Sequence, residues 1–360
     1  MTPMFFKRLL VLAAVAALAG PAPAQPAELP QGLAAKAQLS ASDTGAIDAF
    51  LGAVLPDLGA DDLTTRGAAR RAVLDPLVGT PSPSFRIQYG AKLKGTMTRM
   101  ASSADTDEAV FGVLLAGQIA TVDGHAVVLG ALDDARSAVR YAAARGVRVQ
   151  LASLANPPAA LGDQHRDALT AALADRVAVE RDPVVLDGLL SCATESVVRD
   201  DPWCNTLLQT LSEALAQNVN TGEPGSLGRT RAYLRLVGAT QLHFRNHVGS
   251  LPASLGNDAA LLAGHVMGYV VAESERPVSD PAETEALGQL LKAAHNLAFF
   301  ANDAAGGPAQ QANSRLPDAF DRWRTTGDPS ALRREAGVWI GPGGVLSRPP
   351  YSAAPGSFSG

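Results

Sequence analysis

The chain has 360 residues, of which 47% are hydrophobic, 18% charged and only 5% aromatic, with a formal net charge of −5. That is enough apolar material for two domains or one long helical array. An acidic balance without a basic block excludes the electrostatic footprint that nucleic-acid binding needs.

The N-terminus reads as an export signal. Lys7 and Arg8 precede an apolar run from Leu9 to Ala19, then Gly20, Pro21 and the small-residue site Ala22-Pro23-Ala24. Cleavage is expected after Ala24, making residues 1–24 a signal peptide and the mature chain a periplasmic or extracellular protein. The apolar run is too short to span a bilayer, which takes about 20 residues, and no later segment reads as transmembrane. Loss of Lys7 and Arg8 leaves 28 Lys plus Arg against 35 Asp plus Glu, a net charge of −7.

Residues 25–41, rich in Ala, Pro and Gln, read as a flexible lead-in, and helical patterning begins near Ser42 with Asp43–Val54. It continues through Val78, breaks at GTPSPSF and resumes over Arg86–Arg99 and Asp107–Ile119. FRIQYG alternates Phe85, Ile87 and Tyr89 with polar residues, but one strand finds no partner, so it reads as an extended linker or the irregular start of a helix.

The best-formed unit is Val127 to Leu154. Val139, Ala143, Val147 and Leu151 recur every four residues as an apolar stripe that needs neighbours to bury it. Asp133 or Asp134 is positioned to cap a helix starting near Ala135, and Gly146 with Ala142–Ala144 permits a close helix approach. Asp134, Val139 and Arg140 occupy the turn-Asp and Val-Arg spacing of a HEAT repeat, and this stretch resembles that HEAT-like, armadillo-type family. The resemblance covers about 30 residues. It implies an α-solenoid of stacked helical hairpins in which Asp134, Val139 and Arg140 are structural. Weaker copies lie around Arg66 and Val185, as diverged repeats do.

Asn156-Pro157-Pro158 ends the unit, and Asp163–Val177, Val184–Ser196 and Cys204–Gln217 continue the helical style, so the repeat region is expected over residues 42–217. The cluster at residues 218–228 is the best internal boundary. A C-terminal helical region, 229–337, follows with Arg229–His247, Asp258–Glu273, Pro281–Asn302 and two short helices. The tail, 338–360, carries so much Gly, Pro and Ser that it is expected to be disordered. Five Asp-Pro pairs, at Asp75, Asp182, Asp201, Asp280 and Asp328, mostly read as helix starts. The doublets Asp61-Asp62, Asp133-Asp134 and Asp200-Asp201 read as caps in the same way. The fold class is therefore all-α.

Chemistry-bearing residues are few. In an oxidising compartment Cys192 and Cys204 are expected to form a local disulfide, the alternative being two buried thiols. His243 and His247, four apart, share one helix face at a spacing that suits zinc or copper. His265 and His295 on the next two helices are the candidates for further ligands. The chain contains no G-x-S-x-G elbow, no phosphate-binding glycine loop and no EF-hand, so no catalytic residue and no cofactor is assigned. The expected function is a non-catalytic exported scaffold or adaptor engaging a protein or cell-envelope component. The competing reading is a metal-binding helical bundle built on the histidines.

Overall fold

The computed structural model describes residues 28–221, 225–247, 249–276, 280–308, 315–354 and 356–358. Residues 1–24, expected to be a signal peptide, and the expected cleavage site after Ala24 lie outside the described residues. The described residues contain 14 α-helices, a few 3-10 turns and no strand, so the all-α class holds. In chain order the helices are α1 Ala41–Val54, α2 Leu63–Leu74, α3 Pro83–Ala101, α4 Thr106–Ile119 and α5 Val122–Ala131. Then come α6 Ser137–Ala155, α7 Asp163–Val179, α8 Pro183–Arg199, α9 Cys204–Val219 and α10 Leu227–Asn246. The last four are α11 Ala253–Ser274, α12 Pro281–Ala304, α13 Leu316–Thr326 and α14 Ser330–Ile340.

Local chemistry sets many of the starts. Ser40 and Asp43 form a reciprocal capping box on α1, and the carboxylates of Asp62, Asp105, Asp182 and Asp280 accept amides at the starts of α2, α4, α8 and α12. Pro183 and Pro281 follow their caps at the first helical position, as the Asp-Pro reading expects. Asp75-Pro76 instead opens a 3-10 turn after α2, and Asp201-Pro202 lies in the loop before α9. Asp134 accepts the Arg136 amide at 2.8 Å, one residue outside the helix, so α6 begins at Ser137 rather than near Ala135. FRIQYG is wholly helical inside α3. Phe85 and Tyr89, four apart, are both fully buried while Ile87 is half exposed, and burial at helical spacing overrides the two-residue alternation.

The helices pack on their sequence neighbours, most extensively α11 on α12 and α3 on α4, and also on their second neighbours. α4 lies on α6, α6 on α8, α8 on α10 and α10 on α12, while α3 lies on α5, α7 on α9 and α9 on α11. This packing runs past residues 218–228, because α8 meets α10 and α9 meets α11. Small residues permit a close crossing. A Cβ built on Gly117 of α4 would stand 2.5 Å from the Gly146 Cα of α6, so these two backbones are in direct contact.

The C-terminal tail is packed, which corrects the expectation of disorder. Trp339 is fully buried, and Val345, Leu346, Tyr351 and Phe358 are each at least nine-tenths buried. Their seat is the glycine face of α11: a Cβ on Gly264 would meet Leu346 and Phe358 at 2.5 and 2.7 Å. Tyr351 closes the arrangement by donating its hydroxyl to Asn302 at 3.1 Å. Glycine and proline make the turns here, while the sparse apolar side chains bind the segment down.

Glu180, between α7 and α8, is 1% exposed and is the most heavily bonded acid of the interior. Arg140 reaches it from α6 through two bonds of 2.8 and 3.0 Å, and Arg176 from α7 through one of 2.9 Å. The amides of Arg181 and Asp182 donate to it as well. Asn218 of α9 donates to the carbonyls of Val177 and Glu180 and accepts from the Tyr233 hydroxyl of α10. Arg140 also ties down the carbonyls of Asp134 and Ala135, and Val139 beside it is buried in the core. The Arg of the sequence motif thus bonds the turn before its own helix and the next interhelical turn together. Exposed pairs such as Arg148–Glu195 and Arg235–Asp187 link α8 to its neighbours at the surface, but such pairs contribute about 1 kcal/mol at most.

Two outcomes follow from this packing. Gly117→Ala should lower stability by up to about 2 kcal/mol, because backbone-to-backbone overpacking of up to about 3 kcal/mol outweighs the roughly 1 kcal/mol that alanine gains in a helix. Gly95→Ala, on an open face of α3, should instead raise it by about 0.5–1 kcal/mol, and urea unfolding midpoints compare the two. Burial opposes ionisation of Glu180, yet the Arg140 and Arg176 guanidiniums and the Asp182 amide outweigh it and hold the carboxyl down at about 2, against an ordinary 4.5. Its stabilisation is therefore complete above the unfolded value and is lost as pH falls towards 2. Glu180→Gln should be markedly less stable than wild type at neutral pH, by about 3 kcal/mol as for a broken buried pair. The gap should close between pH 4.5 and 2 in denaturation series; a gap independent of pH would contradict the assignment.

Candidate functional site

The described cluster with metal-ligating chemistry forms where the α8–α9 loop meets the last turn of α10. α8 ends at Asp200, whose φ of 55° is left-handed and turns the chain sharply. Asp201 follows, buried and paired with Arg199 at 3.0 Å, with its carbonyl accepting the Cys204 amide that opens α9. The loop is therefore pinned at both ends, and the Asp200 carboxylate is left projecting at 72% exposure.

His243 and His247 come from the other side. His243 is buried, its Nε2 2.7 Å from Asn205 Oδ1, and burial together with the neighbouring His247 lowers its pKa. His247 caps α10 with its Nδ1 3.1 Å from the His243 carbonyl, which must accept, and its Nε2 lies 3.2 Å from Asp200 Oδ1. The structure thus brings the two predicted histidines together and supplies Asp200 as the third group. It does not bring the other two histidines there. His265 sits against Phe358 and bonds Asn220 at 2.8 Å, its pKa pushed down to about 4 by burial, and His295 packs edge-on to Phe299 and Trp339. The four-histidine convergence is corrected to two histidines and one aspartate. In sequence Asp200 looked like a helix-start cap, whereas it ends α8; a left-handed Asp at a C-cap leaves no signal of its own in the sequence.

The cysteines are also corrected. Cys192 and Cys204 are both buried and both free. Cys204 faces Ser196 and His243, its sulfur 3.7 Å from His243 Nδ1. Ser196 lies about one helical turn beyond Cys192 on α8. Burial raises both thiols to about 12.

On the other side of the same loop a groove of about 470 Å³ runs between α7 and α9, lined by Arg166, Thr170, Pro202, Trp203, Thr206 and Thr210. The Arg166 guanidinium stands 5.4 Å from the centre of the Trp203 ring, and the Trp203 indole N–H is buried without a hydrogen-bond partner.

Comparison of the chain with protein-family models, with curated proteins and with solved structures returns no match. Among the described residues no helix is long and apolar enough to cross a membrane.

With both cysteines 2% exposed, a thiol reagent should label neither in the native protein and both after denaturation without reductant. Denatured protein that shows no free thiol would restore the disulfide.

Proposed function

We propose that this chain is an exported, HEAT-like α-solenoid that works as a non-catalytic scaffold or adaptor, binding a protein or cell-envelope component. The observation that supports it is the second-neighbour packing of α3 to α12. Hairpins stacked in this way present long rows of helices to solvent, and extended faces of that kind serve recognition. The export signal expected at residues 1–24 places the partner in the periplasm or outside the cell.

The groove beside Trp203 is the contact point within this reading. Trp and Arg carry a disproportionate share of binding energy at protein interfaces, and Arg166 over Trp203 puts both on one ridge in a chain otherwise poor in aromatics. Crosslinking of the purified chain into envelope extracts should recover a defined protein partner, and Arg166→Glu, at the rim of the groove, should reduce its yield at least tenfold while circular dichroism shows native helix content. Reproducible recovery of nothing by the wild-type chain would overturn the scaffold.

A further inference from the structure

The end of α10 carries more order than helix termination requires. His247 donates Nδ1–H to a backbone carbonyl, and its Nε2 lies 3.2 Å from Asp200 Oδ1, a contact that in the metal-free chain needs an Nε2–H, which a bound metal would displace. His243 donates Nε2–H to Asn205 Oδ1, which leaves its Nδ1 lone pair with only the weak Cys204 thiol as neighbour. Each ring is thus oriented by a hydrogen bond on the nitrogen opposite the one that would ligate, as second partners orient metal-binding imidazoles. One ligand atom from each of Asp200, His243 and His247 lies within 4.8 Å of the others. The 3.2 Å between His247 Nε2 and Asp200 Oδ1 is close to the edge, roughly 3.3 Å, of a tetrahedron with metal–ligand bonds of about 2.0–2.1 Å.

We infer that Asp200, His243 and His247 form a binding site for a zinc-like divalent transition metal, with three protein donors and a fourth, solvent-facing position. An ion pair accounts for the His247–Asp200 contact but not for the convergence of His243 on the same point as a third donor. Two imidazoles with one carboxylate select zinc, copper or nickel over calcium and magnesium, which prefer all-oxygen shells. Bringing the three donors into bonding range takes rotation of the exposed Asp200 carboxylate and small shifts of the rings, with no change in the pinned loop. The open position follows from the exposure of Asp200 at 72% and His247 at 31%, while His243 closes the buried side. The site is independent of the scaffold reading, since it lies apart from the Trp203 groove and needs no partner.

The test uses the full chain, stripped with chelator and titrated with zinc chloride by calorimetry, with thermal melts in parallel. The expected result is one zinc per chain and a raised Tm. Asp200→Asn and His247→Ala should weaken zinc at least tenfold, while His265→Ala leaves it unchanged. Both variants change surface side chains, and Asn tolerates the left-handed backbone at 200, so circular dichroism should show the native helix content in each. Absence of stoichiometric zinc, wild-type affinity in both variants, or displacement of zinc by an equal concentration of calcium would each overturn the site.

Discussion

A carboxylate that is 1% exposed cannot remain ionised unless cations and amides surround it, and meeting that demand at Glu180 aligns the middle of this molecule. Arg140 comes from α6, Arg176 from α7, and the Arg181 and Asp182 amides from the turn into α8. Asn218 of α9 bonds the carbonyl of the same residue and passes the chain of bonds to Tyr233 of α10. Five consecutive helices are thereby registered through one interhelical turn. Apolar stripes alone tolerate sliding, because burial is non-directional, whereas this network fixes the height at which each helix meets the next.

That registration explains why the end of α8 and the end of α10 meet. Helices α8 and α10 pack side by side; α8 stops at a left-handed Asp200 and α10 at His247, so the two termini fall at the same level. The loop from Asp200 to Cys204 then has two faces. One presents its carboxylate to the α10 imidazoles, and the other sets Trp203 under Arg166 beside α7. The same short segment therefore contributes to both the proposed metal site and the proposed docking groove.

Legibility in the sequence followed the range of the interactions concerned. The stripe Val139, Ala143, Val147, Leu151 gave the α6 pattern, and Asp182-Pro183 and Asp280-Pro281 gave two helix starts, because spacing and capping act within one or two turns. FRIQYG misled because two periodicities share Phe85 and Tyr89, and only the surrounding helices decide which is buried. The tail misled for a related reason: its composition resists regular structure, but docking needs only a few apolar anchors and a receptive glycine face on α11, more than 70 residues away in the chain at Gly264. His243 and His247 were found from their spacing. Asp200 was read as a cap because its relation to them arises from two helices ending together.

The chain by itself determined that the structure is all-α, where many helices begin, that Gly146 allows a close approach, and that Arg140 is a structural residue. Each rests on backbone propensity, capping or amphipathic spacing, which are encoded over a few consecutive residues. Only the tertiary structure decided that Glu180 is the partner of Arg140, that the cysteines are buried and free, that Asp200 and not His265 or His295 joins the histidine pair, and that the tail is buried. Those outcomes depend on which helix ends reach the same level, and that height is set by buried polar contacts between residues about 40 positions apart.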